Sequence, residues 1–264
     1  MELEITTLSL LALAALLAGF IDAIAGGGGL ITVPALLATG MPPTMALATN
    51  KLQSCFGSFS ATFYYFRRGL LDWRTMKWAI ACTFIGAVLG TIGVQLIDAS
   101  VLQKVLPFLL AAFALYFLCS PRVGDEDRQQ RLKVIPFALL IGTGIGFYDG
   151  FFGPGTGSFF ALAFVALAGF SLSKATAHSK LLNFTSNIAS LLFFILGGQV
   201  VWVAGLSMAL GQFVGARLGS KMVVTQGTRM IKPMLVTVSL VMSVHLLWQQ
   251  YPAWFNWINF EAPF

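Results

Sequence analysis

The sequence predicts an all-α polytopic membrane protein built from two inverted-topology repeats, each interrupted by a glycine-rich break. Three observations lead to this fold class: an apolar composition, a series of apolar segments near bilayer length, and collinear matches between the two halves. Of the 264 residues, 57% are hydrophobic and only 10% are charged, whereas soluble domains average about 25% charged residues. A soluble fold could not cover so much apolar surface with polar groups, so lipid is the expected solvent.

Ten apolar segments follow one another along the chain, and at about 1.5 Å per residue a segment near 20 residues spans the hydrocarbon. They lie at 6–24, 30–40, 44–66, 75–97 and 101–119 in the first half, and at 134–152, 156–168, 174–197, 200–220 and 230–249 in the second. A polar stretch separates the two sets. We therefore expect a first membrane repeat at 1–120, a cytoplasmic linker at 121–133 and a second, inverted repeat at 134–264.

The second segment of each half is too short to cross a bilayer alone, and it follows a glycine-rich break. The breaks read GGGG at 26–29 and GPGTG at 153–157. Glycine and proline at membrane depth interrupt a helix. Each half should therefore contain a broken helical hairpin, which is either re-entrant or two full crossings. We favour re-entrant or partly crossing hairpins.

Short motifs recur in the two halves at nearly the same offset. GFID at 19–22 matches GFYD at 146–149, and ATNKL at 48–52 matches AHSKL at 177–181. Glycines repeat as well, and the ridges at 86, 90 and 93 and at 211, 215 and 219 predict close helix packing. Collinear matches over such a length indicate an internal duplication.

The basic residues predict the orientation of the repeats. Most of them lie in three loops, at 67–77, 122–133 and 217–232, which the positive-inside rule places in the cytoplasm. The repeat-equivalent loops at 196–206 and 88–103 contain no basic residue, so equivalent loops should lie on opposite sides. Inverted repeats of this kind are common in secondary transporters. Both termini would be periplasmic, and the net charge of +6 reflects membrane orientation rather than nucleic-acid binding.

Four ionisable residues at membrane depth form two repeat-related sets, Asp22 with Asp149 and Lys51 with Lys180. A charge at a helix centre costs about 2.5–3.5 kcal/mol on insertion scales, so duplicated charges suggest an ion or substrate pathway. The alternative is that Asp22 pairs with a lysine or caps a broken helix, while the lysines extend to the membrane interface.

The glycine breaks predict an anion site, because a helix that starts inside the membrane presents unpaired N–H groups and the positive end of its dipole. Lysines and amide or hydroxyl groups nearby would complete a cavity for a carboxylate, sulfonate or sulfite. The predicted substrate-binding residues are Gly26, Gly27, Gly28, Gly29, Asn50, Lys51, Gln53, Ser54, Gly153, Gly155, Gly157, Ser179, Lys180, Asn183 and Asn187. The alternative for the polar side chains is hydrogen bonding between helices.

Three further residues are predicted to have a coupling or structural role: Asp22, Asp149 and His178. His178 suits proton coupling, because histidine titrates near neutral pH, or it is a hydrogen-bonded histidine at a helix start. The cysteines Cys55, Cys82 and Cys119 lie singly in apolar segments, which indicates neither a metal site nor a disulfide framework. No cofactor is expected.

The motifs GFIDAIAGGGGL at 19–30, ATNKL at 48–52, GFYDGFFGPGTG at 146–157 and ATAHSKL at 175–181 resemble those of the TauE/SafE sulfite-exporter family. The resemblance covers essentially the whole chain and is greatest to the YfcA-type members. It implies a bacterial inner-membrane transporter with about eight spans that exports sulfite, organosulfonates or related small anions. It assigns functional roles to Asp22, Gly26 to Gly29, Asn50, Lys51, Asp149, Gly153, Gly157, Ser179 and Lys180. Pro154 stands where the first break has Gly27, so the two halves of the site should differ.

Together these features predict a secondary transporter that moves a small anion by alternating access, and not an enzyme. A Walker-type phosphate-binding motif is absent from the sequence, so direct use of ATP is not expected. A passive anion channel is one alternative. An intramembrane aspartyl protease is another, and it would need Asp22 and Asp149 to share a proton at close range. The expected partners are the small anion and the lipid bilayer, and a homodimer is left open.

Overall fold

The structure is a computed structural model, and it describes residues 3–98, 100, 101, 104, 108, 129–226 and 248. The described residues are helical, with no strand among them, as the sequence predicts. The helices are α1 (Ile5–Ala25), α2 (Gly29–Ala38), α3 (Pro43–Arg67), α4 (Lys77–Gln95), α5 (Val134–Phe151), α6 (Thr156–Ala168), α7 (Leu172–Leu196) and α8 (Trp202–Gln226).

Each of these helices matches a predicted segment to within a few residues at its N-terminal end. The sequence did not predict the π-helical turns Ala138–Gly142 in α5 and Phe164–Ala168 in α6. The predicted segments at 101–119 and 230–249 and most of the loop at 120–133 lie outside the described residues, apart from a few isolated positions. Cys119 and the C-terminal ends of both predicted repeats also lie outside the described residues.

Four of the described helices, α1, α4, α5 and α7, are long and apolar enough to cross a membrane. Helices α3 and α8 have 25 residues each, which is also sufficient length, but they carry more polar side chains. Helix α2 has only 10 residues and would extend about 15 Å, half of the hydrocarbon thickness. The prediction of about eight spans therefore stays a prediction, while a multi-pass membrane protein is well supported.

Many polar residues of the described helices are buried, and many large apolar side chains are exposed. Leu10, Leu13, Ile85, Leu89 and Leu210 are each more than half exposed, as expected for faces that contact lipid. Buried positions instead include many hydroxyl and amide groups, most of them on α3 and α7. In a bilayer such groups must find partners inside the protein.

The first helix of each half packs against the fourth helix of the other half. Helix α1 lies along α8, and α5 lies along α4. A Cβ added at Gly215 would overlap the carbonyl oxygen of Leu16, and one at Gly90 would overlap that of Phe147. Glycine therefore lets the helix backbones touch, which confirms the predicted packing ridges. Gly93 is the exception, since it faces only the ring of Phe151 at 3.7 Å.

Helices α3 and α7 pack against each other in opposite directions at the centre of the bundle. The start of α3 meets the residues after α7, because the Val201 N–H donates to Thr49 Oγ1 at 3.0 Å. The start of α7 meets the residues after α3, because the Asp72 N–H donates to His178 Nε2 at 3.4 Å. This antiparallel pair carries both buried lysines.

The two glycine breaks contact each other next to the buried lysines of these helices. Helix α1 ends at Ala25, and the next residue, Gly26, has a left-handed φ of 77° that favours glycine. A Cβ at Gly26 would lie 2.6 Å from Gly157 Cα, and one at Gly29 would lie 3.0 Å from Pro154 Cα. Glycine at these positions therefore allows one broken hairpin to sit directly on the other.

Candidate functional site

Each buried lysine pairs with the aspartate of the opposite half. Lys51 Nζ lies 2.7 Å from Asp149 Oδ1, and Lys180 Nζ lies 2.9 Å from Asp22 Oδ2. The lysine side chains are 2% and 0% exposed, so the alternative in which they extend to the membrane interface is wrong. The pairing considered for Asp22 is confirmed, and it occurs twice, crosswise between the halves.

Asp22 also holds the start of the second helix. Its Oδ1 accepts a hydrogen bond of 3.2 Å from the N–H of Gly28, which immediately precedes α2. Asp22 therefore combines both alternatives considered for it, the ion pair and the helix cap. A carboxylate already occupies the place where the α2 dipole and unpaired N–H groups favour an anion.

Asp149 is bound by three donors. Its Oδ1 accepts from Lys51 and from Thr156 Oγ1 at 2.8 Å, and its Oδ2 accepts from Ser186 Oγ. Thr156 is the first residue of α6, so the second break also places its aspartate at a helix start. Each break thus places an aspartate at the start of a helix, and the two aspartates differ in the number of hydrogen-bond donors that they accept from.

The ammonium groups lie against the glycines of the second break. A Cβ at Gly153 would lie 2.9 Å from Lys51 Nζ, and one at Gly157 would lie 2.9 Å from Lys180 Nζ. The net positive cavity expected from the lysines is not present in this conformation, because the four buried charges cancel. What the structure brings together is a neutral, crosswise set of two ion pairs.

The predicted amide group of α3 is connected by hydrogen bonds. Gln53 Nε2 donates to Asn50 Oδ1 at 2.7 Å and to Ser54 Oγ at 3.1 Å, and Thr32 Oγ1 of α2 donates to Asn50 Oδ1 at 2.6 Å. Gln53 is fully buried, yet its Oε1 has no hydrogen-bond partner in the described structure. Asn50 therefore connects α2 to α3, which agrees with the alternative of hydrogen bonding between helices. The Oε1 atom of Gln53 remains a free hydrogen-bond acceptor.

The predicted polar residues of α7 are also hydrogen-bonded. Asn187 Nδ2 donates to Asn183 Oδ1 at 2.8 Å and lies 3.5 Å from Ser58 Oγ on α3. Ser179 is buried and donates to the carbonyl of Thr176 in its own helix. The amides thus line the contact between α3 and α7, whereas Ser179 satisfies its hydroxyl locally.

His178 is a hydrogen-bonded histidine near the start of α7. Its Nδ1 lies 2.8 Å from the Lys174 carbonyl oxygen and its Nε2 accepts from the Asp72 N–H, which fits a neutral ring protonated on Nδ1. The ring packs edge-on to Phe170 beside a cavity of about 350 Å³. Both ring nitrogens have partners, so the geometry favours the structural alternative over proton coupling.

Sequence reasoning assigned no role to Thr32, Thr156 or Ser158. Thr156 binds Asp149, and Ser158 Oγ donates to the carbonyl of Ala25 across the two breaks. Their position supplied a signal, because each hydroxyl lies within one turn of a break, where side chains reach unpaired groups. Within the described ranges, Cys55 and Cys82 are free and no cluster of metal-ligating residues occurs.

The description "Sulfite exporter TauE/SafE" belongs to the family model that matches residues 11–246. The chain belongs to this family. It is 57% identical to "Probable membrane transporter protein YfcA" of Escherichia coli (strain K12) over 244 residues, which cover 92% of this chain and 91% of the relative. It is 51% identical to a "Probable membrane transporter protein" of Haemophilus influenzae over 256 residues, 97% of this chain and all of the relative. No solved structure matches it.

Membership of the TauE/SafE family identifies the chain as a membrane transporter and not an enzyme. It also implies a small-molecule substrate and agrees with the apolar helices of the structure. The crosswise ion pairs and the contacting breaks therefore belong to a transport protein.

Proposed function

We propose that this member of the TauE/SafE family is a secondary transporter that exports a small anion, such as sulfite or an organosulfonate, from the bacterial cytoplasm by alternating access. The observation that carries the proposal is the pair of crosswise ion pairs, Lys51 with Asp149 and Lys180 with Asp22, at the contact between the breaks. The substrate site comprises these groups, the glycines of both breaks and the amides of α3 and α7.

Inverted repeats at 1–120 and 134–264, joined by a cytoplasmic linker at 121–133, are part of the proposal. The antiparallel α3 and α7 support it, and so do contacts that recur at the repeat offset. Thr49 accepts from the N–H of Val201, and its repeat equivalent His178 accepts from that of Asp72. In such transporters the two halves move against each other around a site at the midplane. Periplasmic termini follow from the basic loops, and the bacterial inner membrane is the location that the family resemblance implies.

An oxyanion substrate fits the chemistry of the breaks. The carboxylate of Asp22 lies between a backbone N–H and an ammonium group, and that of Asp149 lies between an ammonium group and two hydroxyls. Sulfite, sulfonates and carboxylates offer the same kind of acceptor oxygen for charge-assisted hydrogen bonds. The carboxylates of Asp22 and Asp149 thus occupy the positions that the oxyanion of a substrate would take.

A carrier agrees with the buried centre better than a passive channel does. As whole residues, Lys51 and Lys180 are 1% and 0% exposed. An open pore would instead leave such charges in contact with water. A proteolytic dyad is also disfavoured, since each aspartate binds its own lysine instead of sharing a proton with the other. The centre resembles an occluded state that must rearrange to admit a substrate.

The first test is transport by purified protein in proteoliposomes, with radiolabelled or mass-detected sulfite, sulfoacetate, methanesulfonate and acetate. We expect Lys51→Gln and Lys180→Gln to move the preferred anion at least about tenfold more slowly than the parent. A hydrogen bond to a charged group contributes about 1.5–3 kcal/mol, and 1.4 kcal/mol is tenfold. Lys221→Gln on the exposed face of α8 is the matched control.

Equal rates for the parent and well-folded lysine variants would show that the proposed site is wrong. Because removal of one partner from a buried ion pair costs about 3–5 kcal/mol, the variants Lys51→Gln/Asp149→Asn and Lys180→Gln/Asp22→Asn are measured in parallel. They remove both charges together and keep the net charge of the site. Accumulation of the anion against its gradient separates a carrier from a channel, which allows only downhill movement.

A further inference from the structure

The buried charges of the site make it unfavourable for an anion to bind there without a cation. Asp22, Lys51, Asp149 and Lys180 sum to zero, and each belongs to a closed ion pair. A bound monoanion would give this water-excluded centre a net negative charge, which is costly in a medium of low dielectric constant. If the protein exports an anion as proposed, a positive charge must enter the site with it.

A proton is the cation that the described groups can accept. A sodium ion would need several free oxygen ligands, but the carboxylate oxygens already receive hydrogen bonds from N–H, ammonium or hydroxyl groups. The described residues also contain no group of three or more His, Cys, Asp or Glu side chains that could hold a metal ion. A proton needs only one carboxylate oxygen.

The carboxylates of Asp22 and Asp149 are not equally suited to accept the proton. Asp149 receives three donors and its side chain is 2% exposed, whereas Asp22 receives two donors and its side chain is 11% exposed. Hydrogen bonds to the ionised form favour that form. Asp22 is therefore the more exposed of the two carboxylates and the one with fewer hydrogen-bond donors.

The surroundings of Asp22 contain few other charged or titratable groups. Among the described residues these are Lys180 from α7 and Tyr65 from α3, whose hydroxyl donates to the carbonyl of Ala23. Helix α8 packs along α1, but its Arg217 and Lys221 are exposed. The ammonium of Lys180 thus dominates the electrostatic environment of this carboxylate.

We propose that Asp22 takes up one proton for each anion transported, and that the proton and the anion cross the membrane together. Protonation of the Asp22 carboxylate breaks its ion pair and frees the ammonium of Lys180, which then binds the substrate oxyanion. The site stays neutral, since the anion replaces the charge that the proton removed. Gly157, whose Cβ would lie 2.9 Å from this ammonium, carries no side chain that would block the oxyanion. Release of both on the far side restores the ion pair.

The experiment uses proteoliposomes that contain a trapped pH-sensitive dye, with potassium and valinomycin to clamp the membrane potential. The probe is radiolabelled methanesulfonate, because it does not titrate near neutral pH and crosses lipid poorly. For the parent protein, we expect inward methanesulfonate movement to acidify the lumen with one proton per anion. Its rate should fall as the pH rises, because fewer protons are then available to cross with the anion.

Three variants locate the proton. Asp22→Asn should move methanesulfonate without acidifying the lumen and without the pH dependence, while the movement that remains in Asp149→Asn should still acidify it. Asp98→Asn is the matched control and should behave as the parent does, because this carboxyl is fully exposed and the Ser100 N–H lowers its pKa. If Asp22→Asn does not fold, Asp22→Asn/Lys180→Gln leaves no unpaired charge, and it should move neither anion nor proton.

The outcomes separate this inference from the proposed function. Methanesulfonate movement by the parent without proton movement, or movement that requires sodium, overturns the inference and leaves the transporter intact. Acidification that persists in Asp22→Asn or in the double variant also overturns it. If the parent moves no methanesulfonate while sulfite or acetate is moved, the proposed sulfonate substrate is wrong, and so is the coupled movement inferred for it.

Discussion

At the scale of single residues, the site is defined by donors that surround two carboxylates. Asp149 is held by an ammonium group and two hydroxyls, and Asp22 by an ammonium group and one backbone N–H. The residue types at these positions were visible as repeated motifs. The hydroxyl donors were not, because a threonine or serine in an apolar helix is compatible with many hydrogen-bonding roles.

Thr156→Val tests the role of one hydroxyl. We expect it to lower the free energy of unfolding by about 1–3 kcal/mol, because a buried carboxylate loses a donor that water cannot replace. Thermal unfolding of the purified protein in detergent measures the effect. Thr225→Val on the exposed end of α8 is the control and should change little, since its hydroxyl bonds only within its own helix. Equal losses in the two variants would contradict the assigned role.

At the scale of helices, close backbone contact joins the two halves. Helices α1 and α8, and likewise α4 and α5, meet through glycines that leave no space for a side chain. The sequence predicted these ridges from glycine spacing alone. It could not predict their partners, because a ridge of small residues specifies a close approach and not the helix that approaches.

Gly215→Ala tests this packing. Its Cβ would overlap the carbonyl oxygen of Leu16, and a backbone atom cannot move aside as a flexible side chain can. We expect destabilisation of about 1–3 kcal/mol and a smaller folded fraction on size-exclusion chromatography in detergent. Gly144→Ala is the control, since a Cβ there meets nothing within 4 Å. A fully stable Gly215→Ala protein would show that α1 and α8 are not in such close contact.

At the scale of the whole molecule, the proposed inverted topology makes a prediction about sidedness. The loop after α3 should be cytoplasmic and the loop after α7 periplasmic. A membrane-impermeant maleimide applied to intact spheroplasts should label Gln199→Cys and should label Thr75→Cys only after permeabilisation. The parent chain, whose described cysteines lie within helices α3 and α4, is the background control. Labelling of both positions from the same side would rule out inversion.

The sequence by itself determined the helices, the glycine breaks and the identity of the charged residues, because helix length, helix interruption and the cost of charge in lipid are local properties. Only the tertiary structure decided that Lys51 meets Asp149 and that Lys180 meets Asp22. Those pairs join residues far apart in the chain, and local patterns carry no information about such partners. Crosswise pairing replaced an expected positive cavity with a neutral one, and this neutrality is the physical basis for the proposed proton coupling.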